Sequence, residues 1–351
     1  MHYVGIDYHK KYSNVCILNA DGEVILEQRV DHRYPMGFEK IFAGIAGFCR
    51  VVFEASSNWS WLYERLEKIP TIEKILLAHP YHVRLIAAAQ IKTDKIDARK
   101  LAMLLRADLI LSVHIPSQAV RQRKEVLRQR VFWVKQRTRF RNRVHRILSR
   151  HPRIEMPQVT DWFGKKGMEA LEKARLPDPD QLLLKQNLQM LRSVGEQIRD
   201  AEKRIEADGH PDQDVAWLQS MPGIGLILSN VIATEIDGIE RFASSPKFCA
   251  YAGLVPSTSS SGDKTYHGKM LRQCNKWLKW AFIEAAWVAV GCSAYFGGFY
   301  RLQQQRGKLK NTAISIVAHR MCQITFRLLK EKRPYEERNL KPFSPVALKL
   351  D

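Results

Sequence analysis

The first thirty positions carry short apolar runs separated by turn formers, a strand rhythm rather than the three- to four-residue step of a helix. Tyr3-Val4-Gly5-Ile6, Val15-Cys16-Ile17-Leu18 and Val24 to Val30 read as three strands, with Asp21-Gly22 a strong hairpin signal between the second and third. The pattern then predicts a helix around Tyr34 to Phe48, a strand at Val51 to Glu54 and a tryptophan-rich helix from about Ser57 to Ile69. A strand at Ile75-Leu76-Leu77 and a helix carrying Asp94 and Asp97 complete the region. A strand meander followed by alternating helices and strands predicts an α/β domain over residues 1–115.

Beyond it the rhythm is helical. Residues 121–153 hold thirteen Arg or Lys against one acid, Glu125, while Leu127, Val131, Val134, Phe140, Val144 and Leu148 supply one apolar stripe. His151-Pro152 ends this helix, and a second helical stretch from Asp180 to Glu206 either folds back as an antiparallel hairpin or pairs across a dimer. The expected middle segment, 116–210, is thus helical and coiled-coil-like. The third region, 211–332, is mostly helical. It opens on Pro222-Gly223-Ile224-Gly225, a turn that reads equally as a helix-hairpin-helix with phosphate-binding N–H groups and as a connection permitting close helix packing. Residues 253–264 read as a polar loop, with helices expected from Leu271 to Val290 and from Thr312 to Leu329. The proline-bearing tail, 333–351, is expected to be an extended strap or disordered.

Charge narrows the function. With 56 Lys and Arg against 36 Asp and Glu, the chain carries +20, which argues for a polyanionic partner because phosphate neutralisation releases counterions. Nucleic acid is the expected partner, and a membrane surface the weaker alternative. No apolar run reaches spanning length and no signal peptide is evident, so the expected location is the cytoplasm. The six cysteines show no zinc spacing and read as free thiols, mostly in the core.

The chemistry resides in four acids. Asp7 and Glu54 close strand-like runs, and Asp94 and Asp97, three apart, share one helix face. Each alone is explained as a turn residue, a strand end or a solvated ion-pair partner; jointly they form a metal-site pattern suited to Mg²⁺ or Mn²⁺ and phosphoryl chemistry. The layout that carries them is of the ribonuclease H type. His9 and His79 lie near enough in sequence to reach the acids but are more commonly hydrogen-bonding bystanders. In the Ser257 to Ser261 run, His267 is the only nearby base, with Lys264 and Lys269 placed to stabilise phosphate, so spacing alone favours a connector over a nucleophile. Trp59, Trp61, Trp277, Trp280 and Trp287 read as core, whereas Trp133 is placed to stack a base.

The order of Gly5-Ile6-Asp7-Tyr8-His9-Lys10, Glu54-Ala55, Thr93-Asp94-Lys95-Ile96-Asp97-Ala98, Pro222-Gly223-Ile224-Gly225, Ala252-Gly253-Leu254-Val255-Pro256 and Ser261-Gly262 resembles one family. These are the insertion-sequence transposases with a DEDD, RuvC-like N-terminal domain and a serine-bearing C-terminal domain, a family that includes Piv-type invertases and bridge-RNA-guided recombinases. The resemblance spans residues 2–330 and implies cutting and rejoining of donor and target DNA. It implies that Asp7, Glu54, Asp94 and Asp97 bind metal, and that Ser261 attacks DNA to form a phosphoserine link. Ser260 is the neighbouring candidate, and the glycine that follows favours Ser261. A noncoding guide RNA is also implied, with recognition through backbone and shape. The expected nucleic-acid contacts are Arg128, Arg130, Lys135, Arg137, Arg139, Arg141, Arg143 and Arg146, with Gly223, Gly225, Lys264 and Lys269. The long helical link favours a dimer or tetramer in which the two halves meet across protomers.

The chain departs from the family pattern in Ser56-Ser57 after Glu54-Ala55, in Trp59, in Cys274-Asn275 and in Leu278-Lys279, changes that touch packing and one phosphate contact. Three other readings compete. A metal-only junction-resolving or ribonuclease H-type nuclease would not need Ser261. A nucleic-acid-binding factor would have inert acids. An actin-like kinase would need small residues where Tyr8-His9-Lys10-Lys11-Tyr12 stands.

Overall fold

The computed structural model describes residues 1–34, 36–56, 58–86, 94–154, 159–209, 212–262 and 264–337. The chain divides into two compact units, the first covering Met1–Ile115 and the second beginning at Pro116.

The first unit is built on β1 (His2–Tyr8), β2 (Tyr12–Leu18), β3 (Val24–Asp31), α1 (Gly37–Ala43), β4 (Cys49–Glu54), α2 (Trp59–Leu66), β5 (Ile72–Ala78), α3 (Pro80–Ile86), α4 (Asp94–Arg106) and β6 (Ser112–Val113). The strands form one mixed sheet in the order β3-β2-β1-β4-β5-β6. β1, β2 and β3 are antiparallel, whereas β1 pairs parallel to β4, with His2 opposite Cys49 and Ile6 opposite Phe53. The expected meander and alternating elements are present. α1 is shorter than expected, because its apolar contacts come only from Phe38, Ile41 and Phe42.

Strand alternation decides which side chains meet which helix. Val4, Ile6, Val51 and Phe53 point into a core with Phe38, Phe42, Leu62 and Leu66. On the opposite face Tyr3, Val52 and their neighbours pack against Ala98, Leu101, Ala102 and Leu105 of α4. Gly5 makes that packing possible. A Cβ on Gly5 would stand 2.1 Å from the Ala98 carbonyl oxygen and 2.4 Å from the Ala102 nitrogen, so the helix backbone rests directly on β1.

The second unit contains α5 (Gln118–Leu148), α6 (Lys165–Lys173), α7 (Asp180–Gly209), α8 (Gln213–Gln219), α9 (Leu226–Ile236), α10 (Ser245–Tyr251), β7 (Pro256–Ser261), β8 (Lys264–Met270), α11 (Lys276–Cys292), α12 (Ala294–Gln305) and α13 (Lys310–Glu331). α5 opens on a Ser117 cap, whose hydroxyl accepts from the Val120 amide. α7 folds back on α5 within the chain. Arg150 pairs with Asp180 at one end at 2.6 Å, and Arg130 pairs with Glu202 further along at 2.6 Å. At the tip, Val144, Ile147 and Leu148 pack with Leu171, Leu184 and Leu188. At the root, Leu127 and Ile205 enter the core formed by α8 to α13.

The root is tied by a polar hub. Buried Glu235 of α9 accepts from Asn275 Nδ2 at 2.9 Å and pairs with Lys124 Nζ and Arg128 Nη2 at 3.3 Å each. The Asn275 side-chain oxygen in turn caps α11 through the Trp277 and Leu278 amides. A buried carboxylate is tolerated when its oxygens are matched in this way.

Three expectations are corrected. Residues 253–264 are not a loop: Pro256–Ser261 is one strand of an antiparallel hairpin, with Ser261 opposite Lys264. Its residues are polar on both faces, so no apolar alternation marked the strand. The helix expected from Leu271 begins at Lys276, behind the Asn275 cap, and a separate helix, α12, follows it. Trp61 and Trp287 are not core residues, being 38% and 45% exposed. Four cysteines, Cys16, Cys49, Cys249 and Cys322, are buried free thiols, as expected. The strap runs as far as Glu337, whose carboxylate accepts from the Ser293 hydroxyl and the Tyr295 amide; the rest of the tail lies outside the described residues. Among the described residues no single helix is long and apolar enough to cross a membrane.

Candidate active site

β1 delivers Asp7 at its carboxyl end on the face that α4 covers, and α4 begins at Asp94. The close approach at Gly5 therefore carries the first turn of α4 over the end of the strand. His9 Nε2 lies 3.0 Å from Asp7 Oδ2 and 3.5 Å from Asp94 Oδ2. The Tyr12 hydroxyl donates to Asp94 Oδ2 at 2.8 Å. Asp97, one turn further, sits 3.6 Å from Lys100 Nζ and is near enough for its charge to act on Asp7. Glu54 follows Phe53, the residue paired with Ile6, so it ends the strand next to that of Asp7 and by alternation shares the face of Val52.

Electrostatics identify Asp7 as the strained member. Burial raises its carboxyl above the usual value of 3.8, the His9 ring opposes that shift, and the charges of Asp94 and Asp97 raise it further. Such a site favours either a proton or a cation. Asp7, His9 and Asp94 each offer a ligand atom, all within 4.8 Å of one another, so carboxylate oxygens and an imidazole nitrogen surround one point where a divalent metal ion fits. His9 is thereby placed inside the group rather than beside it. Tyr12 was not anticipated, because a tyrosine at the start of a strand gives no sign in sequence that it bonds a residue 82 positions away. His79 instead accepts from the Tyr81 amide at the start of α3 and stacks edge-on against His82.

In the second unit Ser261 is exposed at the end of β7, and its hydroxyl has no hydrogen-bond partner among the described residues. Ser260, on the other face of the strand, has its hydroxyl 3.1 Å from that of Thr265. Lys264 faces Ser261 across the hairpin. Lys269 stands at the hairpin's opposite end, where it lines a cleft of 570 Å³ with Pro256, Asn311, Ser315 and His319. The His267 side chain lies outside the described residues.

The basic helix separates into two populations. Arg128 and Arg130 are spent on Glu235 and Glu202. Arg141 lies over the Phe163 ring, 3.9 Å from Asp161, and burial together with Arg141 and Arg130 lowers the Arg137 guanidinium below its ordinary value. Lys135, Arg139, Arg143 and Arg146 are exposed, and their spacing of four, four and three residues keeps them on one stripe. The two glycines of the 222–225 turn also differ. A Cβ on Gly223, at φ +84°, would meet the Ala285 oxygen at 2.3 Å, so Gly223 serves close packing against α11. Gly225 precedes α9 and faces open space.

The fold and site define a protein with a mixed α/β acidic centre able to hold a divalent metal, followed by a mostly helical part. Comparison with known proteins places that class. Residues 4–152 match the family model for DEDD transposases of IS110, described as a transposase, and residues 215–301 match the Transposase IS116/IS110/IS902 family. The chain belongs to this family of insertion-element transposases. It is 24% identical over 310 residues to the transposase for insertion sequence element IS1328 of Yersinia enterocolitica, covering 87% of this chain and 86% of that one. A 43.6 kDa protein of insertion element IS110 from Streptomyces coelicolor is 31% identical over 150 residues, spanning 42% of this chain and 36% of its own length. The pilin gene-inverting protein of Moraxella lacunata is 28% identical over 124 residues, 34% of this chain and 38% of that protein.

Proposed function

We propose that this chain is a transposase that cuts and rejoins donor and target DNA through a serine-linked intermediate, with a ribonuclease H/RuvC-like acidic centre. The observation that carries the reading is the convergence of Asp7, His9 and Asp94 on one point within a basic chain. The sheet order, a meander followed by parallel crossovers, supports the assignment of the first unit. Asp7, Glu54, Asp94 and Asp97 would hold one or two Mg²⁺ ions, which supply charge neutralisation to the attacking and leaving oxygens of phosphoryl transfer.

The chain's own residues do the rest. Ser261 Oγ forms a bond to the scissile phosphorus and loses its proton, while the bond to the leaving strand breaks and that oxygen takes up a proton. Attack by a hydroxyl of the incoming strand releases Ser261 and restores its proton. The Ser261 hydroxyl, without a hydrogen-bond partner among the described residues, against a Ser260 hydroxyl turned to Thr265, supports this register, and Lys264 offers a cation beside it. Lys135, Arg139, Arg143 and Arg146 contact phosphates, as does the open turn at Gly225; Lys269 stands apart from Ser261 and would touch a more distant phosphate. A noncoding guide RNA would delegate sequence choice to base pairing. A dimer or tetramer in a prokaryotic cytoplasm, at the nucleoid, fits a link of this length.

The test is a covalent trap using the full chain, flanking-element RNA, cognate DNA and Mg²⁺. The expected result is a protein–DNA adduct that disappears in Ser261→Ala and in Asp94→Ala but persists in Ser260→Ala. Strand cleavage that survives Ser261→Ala without any adduct would replace this reading with a metal-only nuclease.

A further inference from the structure

Beside the acidic centre, on the outer side of Tyr12, lies a second feature. A cleft of 610 Å³ is lined by Lys10, Lys11, Tyr12, Arg29, His32 and the Asp31–Arg33 pair. Its charge is unbalanced. Arg33 donates to Asp31 through its backbone amide, Nε and Nη2, at 2.8 to 3.2 Å, and so consumes the one carboxylate. Lys10, Lys11 and Arg29 are exposed, with no carboxylate at ion-pair distance among the described residues.

The lysines are also held in place. They occupy the turn between β1 and β2, closed by the His9 amide donating to the Tyr12 carbonyl at 3.0 Å. His32 grips the same turn from β3: its amide donates to the Lys11 carbonyl at 3.0 Å, and its Nδ1 lies 3.3 Å from the Lys10 carbonyl. A carbonyl only accepts, so the ring proton belongs on Nδ1, and the Ser13 hydroxyl donates to Nε2 at 2.9 Å. Tyr12 joins the two features. Its hydroxyl donates to Asp94 while the Arg29 guanidinium lies 3.7 Å over its ring. Lys10 and Lys11 on a pinned turn and Arg29 on the neighbouring strand β3, one side chain away from Asp94, bring three cations to one cleft, a charge suited to the phosphates of a nucleic-acid strand.

We infer that this cleft is a phosphodiester-backbone subsite, in which Lys10, Lys11 and Arg29 grip the nucleic-acid strand beside the phosphate presented to Asp7 and Asp94. The inference rests on reading the acidic centre as the cutting site. The strand is either the DNA being cut or the guide RNA, which share this backbone chemistry.

The test is fluorescence anisotropy of the full chain with labelled single-stranded DNA and, separately, RNA of the same sequence, in EDTA and across a salt series. Replacing all three cations (Lys10→Gln, Lys11→Gln, Arg29→Gln) is expected to weaken binding roughly tenfold or more and to reduce the slope of log K against log salt by about 2, since each lost single-strand phosphate contact removes about 0.7. Lys10→Arg with Lys11→Arg, which keeps the charges, is expected to retain the slope and rules out a folding defect as the cause. A loss confined to the DNA probe assigns the subsite to the cut strand, and one confined to RNA assigns it to the guide. Wild-type slopes from the triple variant on both probes would overturn the subsite and leave the acidic centre's reading intact. A wild-type chain that binds neither probe would remove both.

Discussion

Gly5→Ala is expected to unfold the first unit at a melting temperature lower by more than about 10 °C and to abolish strand cleavage with it. The added methyl has nowhere to go, because its nearest neighbours are backbone atoms of α4, at 2.1 and 2.4 Å, and not the movable end of a side chain. Overpacking commonly costs about 1–3 kcal/mol, and a clash with helix backbone belongs at or above the upper end. For a domain of this size each kcal/mol moves the midpoint by roughly 4–8 °C. The same displacement would lift Asp94 and Asp97 away from Asp7, so the loss of activity would exceed what instability alone causes. Gly298→Ala is the control. It lies in α12 with open space around it, and is expected to be neutral or to stabilise by up to ~1 kcal/mol. Calorimetry of both variants beside cleavage assays checks the pair.

Asp7→Asn is expected to move stability and activity in opposite directions. The Asp7 carboxyl holds its proton more tightly when folded than in the unfolded chain, where it titrates near 3.8. Its favourable contribution is therefore complete below that pH and declines as pH rises through the elevated folded value, so at neutral pH the carboxylate is a net cost to the metal-free protein. The neutral amide removes that cost, and the metal-free variant should melt at or above wild type at pH 7 while losing this advantage at pH 3 to 4, near the reference value. Saturating Mg²⁺ reverses the order. At a hundredfold excess over its dissociation constant a bound ion contributes about 2.7 kcal/mol to wild type, and the variant should gain little. Strand cleavage should fall by about 10³-fold, as when one group stabilising transition-state charge is removed. Thermal melts with and without metal, across pH, read both effects; a variant that gains as much from Mg²⁺ as wild type does would remove Asp7 from the metal site.

The parts of this molecule that could be read from its sequence are those in which one rhythm dominates. The β1–β3 meander, the α5 and α7 helices and the four acids each declare themselves by local spacing, and strand alternation then puts Asp7 and Glu54 on one face. What stayed hidden depends on contacts between distant residues. His9 reaches Asp7 locally, but Tyr12 and His9 meet Asp94 only because α4 settles on Gly5, and nothing near either residue encodes that landing. The β7–β8 hairpin was missed because its serines and threonines present no apolar face, so its strands lack the signal by which strands are recognised. Charge counts misled in a similar way. Arg128 and Arg130 look like their exposed neighbours in sequence, but Glu235 and Glu202, more than 70 residues away, claim them.

That claim on Arg128 has a mechanical side. Glu235 fastens α5 to α9 and, through Asn275, to the start of α11, so the hairpin of α5 and α7 is clamped at its root and closed by an apolar tip. With 31 residues in α5, the rod is about 46 Å long at ~1.5 Å per residue. Its two ends cannot vary their separation without breaking the buried hub. From the hub at Lys124 and Arg128 to Leu148 at the tip the helix rises about 30–36 Å at ~1.5 Å per residue, so the hairpin is a ruler on which anything held at its tip stands about 9–11 base pairs of B-form DNA, at ~3.4 Å each, from anything held at the hub.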